Sequence, residues 1–476
     1  MTATLQAVST ELTDALKAAL GAEHVLTERE QLEPFGRDET EDLHSWPEVA
    51  VFPGSTAEVQ AVLRLANEHR VPIVARGGGT GLSGGAIPVR GGIVLSTRRM
   101  NRILEIDAAN LVAVVQPGIV TQTFQEAVED QGLFYPPDPA SKGSCVIGGN
   151  LAECAGGPRC VKYGVTRDYV LGLEVVLASG EVIRTGGKLF KDVTGYNLTQ
   201  LFVGSEGTLG IITEATLRLI PLPPLTKTLM APFPTLDLAA QAVSRIFQAG
   251  ITPAACELLS QAALNATEEH LGKSFPAEIS GAAASLLLEV DGFHDDDVER
   301  DAMRLGEVCL EVGADDVLLA GTPERSRELW GIRRAMGEAV KSQGDYREYD
   351  VAVPRASIPD ALRAIDAVLE PLGLRALSYG HAGDGNLHVN VLRDQLSEEA
   401  WTQVLEKTGP AIVSAIVAMG GTISGEHGIG LIQMGLLPLQ LSAPNLALQR
   451  GIKQSFDPLG ILNPDKLLPP ATRRRP

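Results

Sequence analysis

Residues 71–88 read Val71-Pro-Ile-Val-Ala-Arg-Gly-Gly-Gly-Thr-Gly-Leu-Ser-Gly-Gly-Ala-Ile-Pro88. The apolar or small residues Val71 to Ala75 predict a buried strand. It runs into Arg76 and then six glycines within nine residues: Gly77, Gly78, Gly79, Gly81, Gly84 and Gly85. Glycine loses more conformational entropy on folding than any other residue, so this density needs a reason. A backbone that turns its N–H groups inward to meet an anion supplies one. A flexible surface loop is the alternative, but flexible linkers are rarely joined directly to a buried strand. The stretch reads as a phosphate-binding loop. Gly79-Thr80-Gly81-Leu82 lacks the Lys-Ser/Thr ending of an ATP-type loop, and Gly77-x-Gly79-x-x-Leu82 lacks the third glycine of the dinucleotide fingerprint. Gly92 to Ser96 predicts a second strand where that fingerprint continues as a helix, so the loop joins strand to strand.

Around this loop, the 476-residue chain is long enough for two or three domains. A net charge of −19 argues against nucleic acid or an anionic membrane surface as a partner. The basic run Arg473-Arg474-Arg475 is too short to alter that. No apolar run approaches a membrane span and Met1 to Leu5 lacks a signal-peptide pattern, so a cytoplasmic protein is expected. Five cysteines, an odd number, fit a reducing compartment better than a disulfide framework. Cys145, Cys154 and Cys160 lack the paired short spacing of a zinc site.

Residues 1–45 read as a helical, acidic segment, with Leu12, Ala15, Leu16, Ala19 and Leu20 spaced for one apolar face. Pro47 to Pro53 predicts a strand. Ser55-Thr-Ala-Glu58 is a capping-box signal, and Val59 to His69 continues as an amphipathic helix. Leu111 to Pro117 and Thr121 to Gln131 repeat the strand–helix order. Pro221-Leu-Pro-Pro224, after a strand at Ile211 to Ile220, marks a domain boundary. The expected division is a helical segment 1–45, a first domain 46–224, an α+β domain 225–425 and a tail 426–476 that folds back.

Two further glycine-dense regions follow. Tyr135-Pro-Pro-Asp-Pro139 and Gly148-Gly-Asn-Leu-Ala-Glu-Cys-Ala-Gly-Gly157 combine a fixed φ at the entrance with close backbone approach beyond it. Such backbone can lie flat against a planar ring and offer N–H donors to its heteroatoms. Val203-Gly-Ser-Glu-Gly-Thr-Leu-Gly-Ile-Ile-Thr213 is the third region. In order, Arg-Gly-Gly-Gly-Thr, Pro-Pro-Asp-Pro, Gly-Gly-Asn and Gly-Ser-Glu-Gly-Thr-Leu-Gly resemble the flavin domain of the FAD-linked oxidase family. That domain is shared by p-cresol methylhydroxylase and vanillyl-alcohol oxidase. The resemblance implies an α+β fold: a two-subdomain FAD-binding domain of that type, then an α+β FAD-linked oxidase C-terminal domain that caps the substrate.

It also implies a set of FAD-binding positions. Arg76, Gly77, Gly78, Gly79, Thr80, Gly81, Gly84 and Gly85 would meet the pyrophosphate. Pro137, Asp138, Ser141, Gly148, Gly149, Asn150 and Gly156 would lie beside the ring, with Tyr163, Gly164, Asp168, Glu206, Gly207, Gly210, Ile211, Ile212 and Asn463 completing the set. Relatives with covalent flavin often carry a His in the first loop. Thr80 in that neighbourhood implies noncovalent FAD.

The second half of the chain contains Ser378-Tyr-Gly-His-Ala-Gly-Asp-Gly-Asn-Leu-His-Val-Asn390 and Ile423-Ser-Gly-Glu-His-Gly-Ile-Gly430. Gly380, Gly383 and Gly385 argue against a helix joining His381 to His388. A turn at Gly383-Asp384-Gly385 leading into a strand at Leu387 to Leu392 would bring the two imidazoles together. Two His and one carboxylate are a frequent ligand set for a divalent metal, although neither segment is a compact ligand motif and a lone His at a strand end is more often a hydrogen-bonded structural residue. The segments resemble signatures of D-lactate, glycolate and D-2-hydroxyglutarate dehydrogenases. That resemblance implies His381, His388 and Glu426 as ligands of a divalent metal, zinc or manganese, and His427 as the base.

The implied reaction is oxidation of a small D-2-hydroxy acid, D-lactate or glycolate, to the 2-keto acid by hydride transfer to flavin N5. Arg333 resembles the substrate-carboxylate arginine, with Arg334 as the fallback and a helix-surface ion pair as the alternative. Enzymes specific for 2-hydroxyglutarate carry Lys in a Tyr-Lys-Tyr-Asp string, where this chain has Arg347-Glu348-Tyr349-Asp350. Glu348 would repel a second carboxylate. Two alternatives stand beside this reading: the flavoprotein subunit of a multi-subunit glycolate oxidase passing electrons to an iron–sulfur partner, and a D-2-hydroxyglutarate dehydrogenase. The acceptor is open among an iron–sulfur subunit, a quinone, a cytochrome and an electron-transfer flavoprotein. A homodimer, or peripheral attachment to the inner membrane through a partner, is compatible with the sequence.

Overall fold

The computed structural model describes residues 4–470, so the Arg473–Arg475 run lies outside the described residues. The first sheet runs Val25–Leu26, Val49–Val51, Ile93–Ser96, Ile73–Arg76. Its last three strands are parallel. Helix Thr56–His69 makes the crossover between two of them, started by Ser55, whose Oγ accepts the Glu58 N–H at 3.3 Å. The helix buries Val59, Val62, Leu63 and Ala66 against the sheet. Each fully buried Val or Leu contributes roughly 1.5–3 kcal/mol. Strand Ile73–Arg76 therefore ends at a fixed place, with the glycine loop beyond it.

The 1–45 segment is less helical than its apolar spacing predicts. Helix Thr10–Leu20 forms and packs Leu12 and Leu16 into the same core as Val59 and Leu63. The chain then turns at Gly21, and Val25 and Leu26 pair with Val51 and Ala50 as an edge strand. A two-residue strand carries too little periodicity to be read from sequence. The segment is thus built into the first sheet and is no separate helical unit.

The second sheet is antiparallel, in the order Ile103–Asp107, Val112–Val115, Ile211–Arg218, Val170–Val176, Val182–Gly186. A seven-stranded antiparallel sheet makes the second half: Leu318–Leu319, Leu225–Phe233, Ala284–Gly292, Ala255–Ser260, Ala376–Gly380, Asn386–Leu392, Tyr346–Ala352. Both faces are covered. Leu229 and Ala231 point into one core, beneath helices Leu236–Gln248 and Asp295–Val312, while Met230 between them points into the other, beneath Gln261–Leu271 and Pro323–Ser342. The fold is α+β.

The C-terminal tail returns to the first sheet. The Ile73 N–H donates to the Ile461 carbonyl and the Asn463 N–H to the Ile73 carbonyl, each at 2.7 Å, so the tail lies along the free edge of strand Ile73–Arg76.

Candidate active site

The three glycine regions converge on one cleft. It is lined by residues 76–82 and Gly85, by 139–141, by parts of 145–156, and by 205–207 with 210–212; Glu426 and His427 close it from the second half of the chain. Glycine is required at specific points. A Cβ on Gly77 would run into the Val146 side chain, and one on Gly148 into Pro117, whereas Gly149 faces open space. Thr97 Oγ1 and Glu153 Oε2 line the cleft and are buried without a hydrogen-bond partner among the described residues. A glycine-lined groove with unpaired buried polar atoms fits a large polar cofactor.

Several expected cofactor positions do not line the cleft. Gly84 N–H donates to Thr40 Oγ1 at 2.7 Å. From the proline segment Pro139 and Ala140 take lining positions, and Pro137 and Asp138 do not. Asp138 accepts the Arg159 N–H, and burial pushes its carboxyl up to about 6. The Tyr163 hydroxyl donates to Asp291 at 2.7 Å, across to the second domain, and Asp168 accepts the Val165 N–H beside Gly164. Asn463 supports the loops from behind, donating to the Gly85 and Glu206 carbonyls at 3.0 and 2.8 Å. Arg76 spends its guanidinium on the Pro34 and Arg37 carbonyls. Cys145, which lacks zinc-type spacing to its neighbouring cysteines, lines the cleft, and so does Glu153, an acid that no sequence pattern marks.

At the end of the cleft, the hairpin from Ala376–Gly380 to Asn386–Leu392 turns at Gly385, whose φ is 89°. His381 and His388 come together with ring centroids 5.3 Å apart. Glu426 Oε1 lies 3.1 Å from His381 Nε2 and 3.5 Å from His388 Nε2. The metal-ligating atoms of these three residues all lie within 4.8 Å of one another. The His427 ring stacks on His388 at 5.0 Å with its Nε2 3.8 Å from Glu426 Oε1. Glu348, His388 and His427 form a second, overlapping group, with Glu348 Oε1 3.3 Å from His388 Nδ1.

Adjacent residues such as Glu426 and His427 diverge in an extended chain. Two buried carboxylates bend the backbone instead. Asp350 Oδ2 accepts from Ser424 Oγ and from the N–H groups of Gly425, Glu426 and His427 at 2.8–3.0 Å. Glu206, from the first domain, accepts the N–H groups of Ile429 and Gly430 at 2.8 and 2.7 Å. Consecutive N–H groups converging on one anion form a nest, which brings neighbouring side chains to one centre. Gly428 has a φ of 85°, and a Cβ there would clash with Glu153.

The electrostatics follow from burial and proximity. Burial works to raise the Glu426 carboxyl, but the three histidines outweigh it and bring it to about 2. Burial lowers His427, while Asp350, Glu348 and Glu426 raise it further, to a net position above the ordinary imidazole value.

The two candidate arginines part ways. Arg334 faces solvent on helix Pro323–Ser342. Arg333 is buried, donates from Nε to Glu257 at 2.7 Å and lies over the Tyr379 ring at 4.8 Å.

Comparison with known proteins identifies the family. Residues 47–186 match the FAD binding domain family, and residues 222–467 match the family of FAD linked oxidases, C-terminal domain. The chain is 44% identical to glycolate oxidase subunit GlcD of Bacillus subtilis, covering 93% of each protein. It is 40% identical to D-lactate dehydrogenase of Anaerostipes hadrus, over 88% of this chain and 89% of that one. Identity to D-2-hydroxyglutarate dehydrogenase of Xanthomonas citri is 38%, over 95% and 96%. The fold matches substrate-bound p-cresol methylhydroxylase with a TM-score of 0.81 over 98% of each chain, at 20% identity. The chain belongs to the FAD-linked oxidase family and is an FAD-dependent oxidoreductase.

Proposed function

We propose that this chain oxidises a small D-2-hydroxy acid, D-lactate or glycolate, to the 2-keto acid. The observation that carries the reading is the meeting of His381, His388, Glu426 and His427 at the mouth of the FAD cleft, with Glu426 and His427 lining it. Relatives named for glycolate, D-lactate and D-2-hydroxyglutarate support the substrate class. The FAD is held noncovalently, with Thr80 in the first loop. His381, His388 and Glu426 hold a divalent ion, zinc or manganese. When bound, the flavin supplies a hydride acceptor and the ion a Lewis acid.

The chain's own residues do the rest. Two neutral histidines and one carboxylate leave a divalent site with a net positive charge, which suits a monoanionic substrate. His427 takes the hydroxyl proton at Nε2; its Nδ1 lies 3.9 Å from Glu348 Oε2, which favours the cation that forms. Arg333 meets the substrate carboxylate. Glu348, half-buried beside His388, disfavours a second carboxylate and so selects against 2-hydroxyglutarate.

The name of the Bacillus subtilis relative, an oxidase subunit, supports a second reading in which electrons pass to an iron–sulfur partner. Among the described residues, no helix is long and apolar enough to cross a membrane, compatible with a cytoplasmic chain attached through such a partner. Steady-state turnover of the purified chain with an artificial dye, across D-lactate, glycolate and D-2-hydroxyglutarate, tests the proposal. The expected result is turnover with the small acids; strong preference for 2-hydroxyglutarate contradicts it.

A further inference from the structure

Glu257 lies on strand Ala255–Ser260, central in the seven-stranded sheet, and none of its surface is exposed. It does not line the cleft. A buried carboxylate survives in such a place only if its charge is matched and its oxygens are hydrogen-bonded. Both conditions are met by residues of the proposed site. Glu257 Oε2 accepts from Arg333 Nε at 2.7 Å, and the two Glu257 oxygens lie 2.9 and 2.8 Å from His381 Nδ1. One carboxylate therefore touches both the candidate metal ligand and the candidate substrate-binding cation.

The contact with His381 has a chemical consequence. Glu257 is an acceptor, so the Nδ1 it faces carries a proton, and Nε2 is the nitrogen turned away from Glu257 and able to bind a metal. That Nε2 points to Glu426 Oε1 at 3.1 Å, the atom that His388 Nε2 also approaches. The ring is thus held with Nδ1 engaged by Glu257 and Nε2 facing Glu426 and His388, the orientation that a metal centre needs. The contact with Arg333 has another. Only Nε is engaged, and among the described residues the terminal guanidinium nitrogens make no other hydrogen bond. The guanidinium rests on the Tyr379 ring, which itself lies 5.4 Å from the His388 ring.

We propose that Glu257 is a positioning residue for the reaction: by engaging His381 Nδ1 it presents Nε2 for metal binding, and by engaging Arg333 Nε it anchors that cation on the same carboxylate. The proposal rests on the metal reading given above. A merely structural ion pair would account for Glu257 and Arg333 but makes no demand on metal affinity.

The test is competition of the FAD-loaded protein with a chromophoric chelator for Zn²⁺ and for Mn²⁺, in wild type and Glu257→Gln. The flavin spectrum and melting temperature report whether the fold is kept. Loss of such an outer partner typically weakens metal binding about 10–100-fold, and that is the expected change. The KM for the hydroxy acid is expected to rise as Arg333 loses its anchor. Should Glu257→Gln leave Arg333 uncompensated and fail to fold, the double variant Glu257→Gln/Arg333→Met removes both charges together, a change buried pairs often tolerate. It is expected to show the same loss of metal affinity. A folded variant that binds either ion as tightly as wild type overturns the proposal alone. Wild-type protein that takes up neither ion overturns the metal reading, and this proposal with it.

Discussion

Glu206, in the FAD-binding half of the chain, accepts the N–H of Gly430 at 2.7 Å and fastens the loop that carries Glu426 and His427 to the domain that holds the cofactor. Its φ of 50° is left-handed, an uncommon conformation for Glu, and Asn463 donates to its carbonyl. The loop that carries Glu426 and His427 is thereby held to the glycine-lined cleft across a domain boundary.

Glu206→Gln replaces one accepting oxygen by a donor that faces an N–H group. Hydrogen bonds to charged groups are worth about 1.5–3 kcal/mol, so the rate of flavin reduction is expected to fall roughly 10–100-fold. Stopped-flow absorbance checks this, with the oxidised flavin spectrum unchanged. A reduction rate equal to wild type contradicts the positioning role.

Asp350 makes a stability prediction with a definite pH sign. Burial works to raise its carboxyl, but His427, His388 and the donated hydrogen bonds bring it below the ordinary range. A carboxylate with a depressed folded value stabilises the fold fully above its unfolded value, about 4, and loses that contribution as pH falls toward the folded one. Asp350→Asn should therefore cost about 3–5 kcal/mol near neutral pH. The gap between variant and wild type should narrow below about pH 4. Urea unfolding at the two pH values measures both.

The pH dependence of kcat/KM reports the base in the free enzyme. His427 must be neutral to accept a proton, so activity is expected to rise with pH through a value above the ordinary imidazole one. Glu348→Gln removes one of the charges that raise His427, and the acid limb should move to lower pH. A limb that stays in place contradicts the assignment. His427→Asn should lower kcat about 10²–10⁴-fold while FAD and metal content are kept.

Much of this site is legible in the sequence where the signal is local. Glycine density marks the cleft because close approach requires glycine, and Gly383-Asp384-Gly385 announces the hairpin that joins His381 to His388. The carboxylates that hold the site together have no such mark. Glu257 is 124 residues from His381 in the chain, and Glu206 is 224 from Gly430; only the folded sheets bring them together. Arg333 and Arg334 look alike in sequence, and helix phase alone separates the buried one from the exposed one. The glycine-loop order and the tail motif imply cofactor contacts at Arg76 and Asn463. Arg76 lines the cleft but spends its guanidinium on the carbonyls of Pro34 and Arg37, while Asn463 braces the loops from behind.

The most direct measurement is anaerobic flavin bleaching. Protein containing FAD and metal is mixed with D- and L-lactate and with glycolate, with and without prior treatment by a strong chelator. Rapid bleaching by D-lactate or glycolate, lost on metal removal and restored by Zn²⁺ or Mn²⁺, is the predicted result. A flavin that stays oxidised with every 2-hydroxy acid contradicts the account, and bleaching that is indifferent to the chelator removes the metal from it.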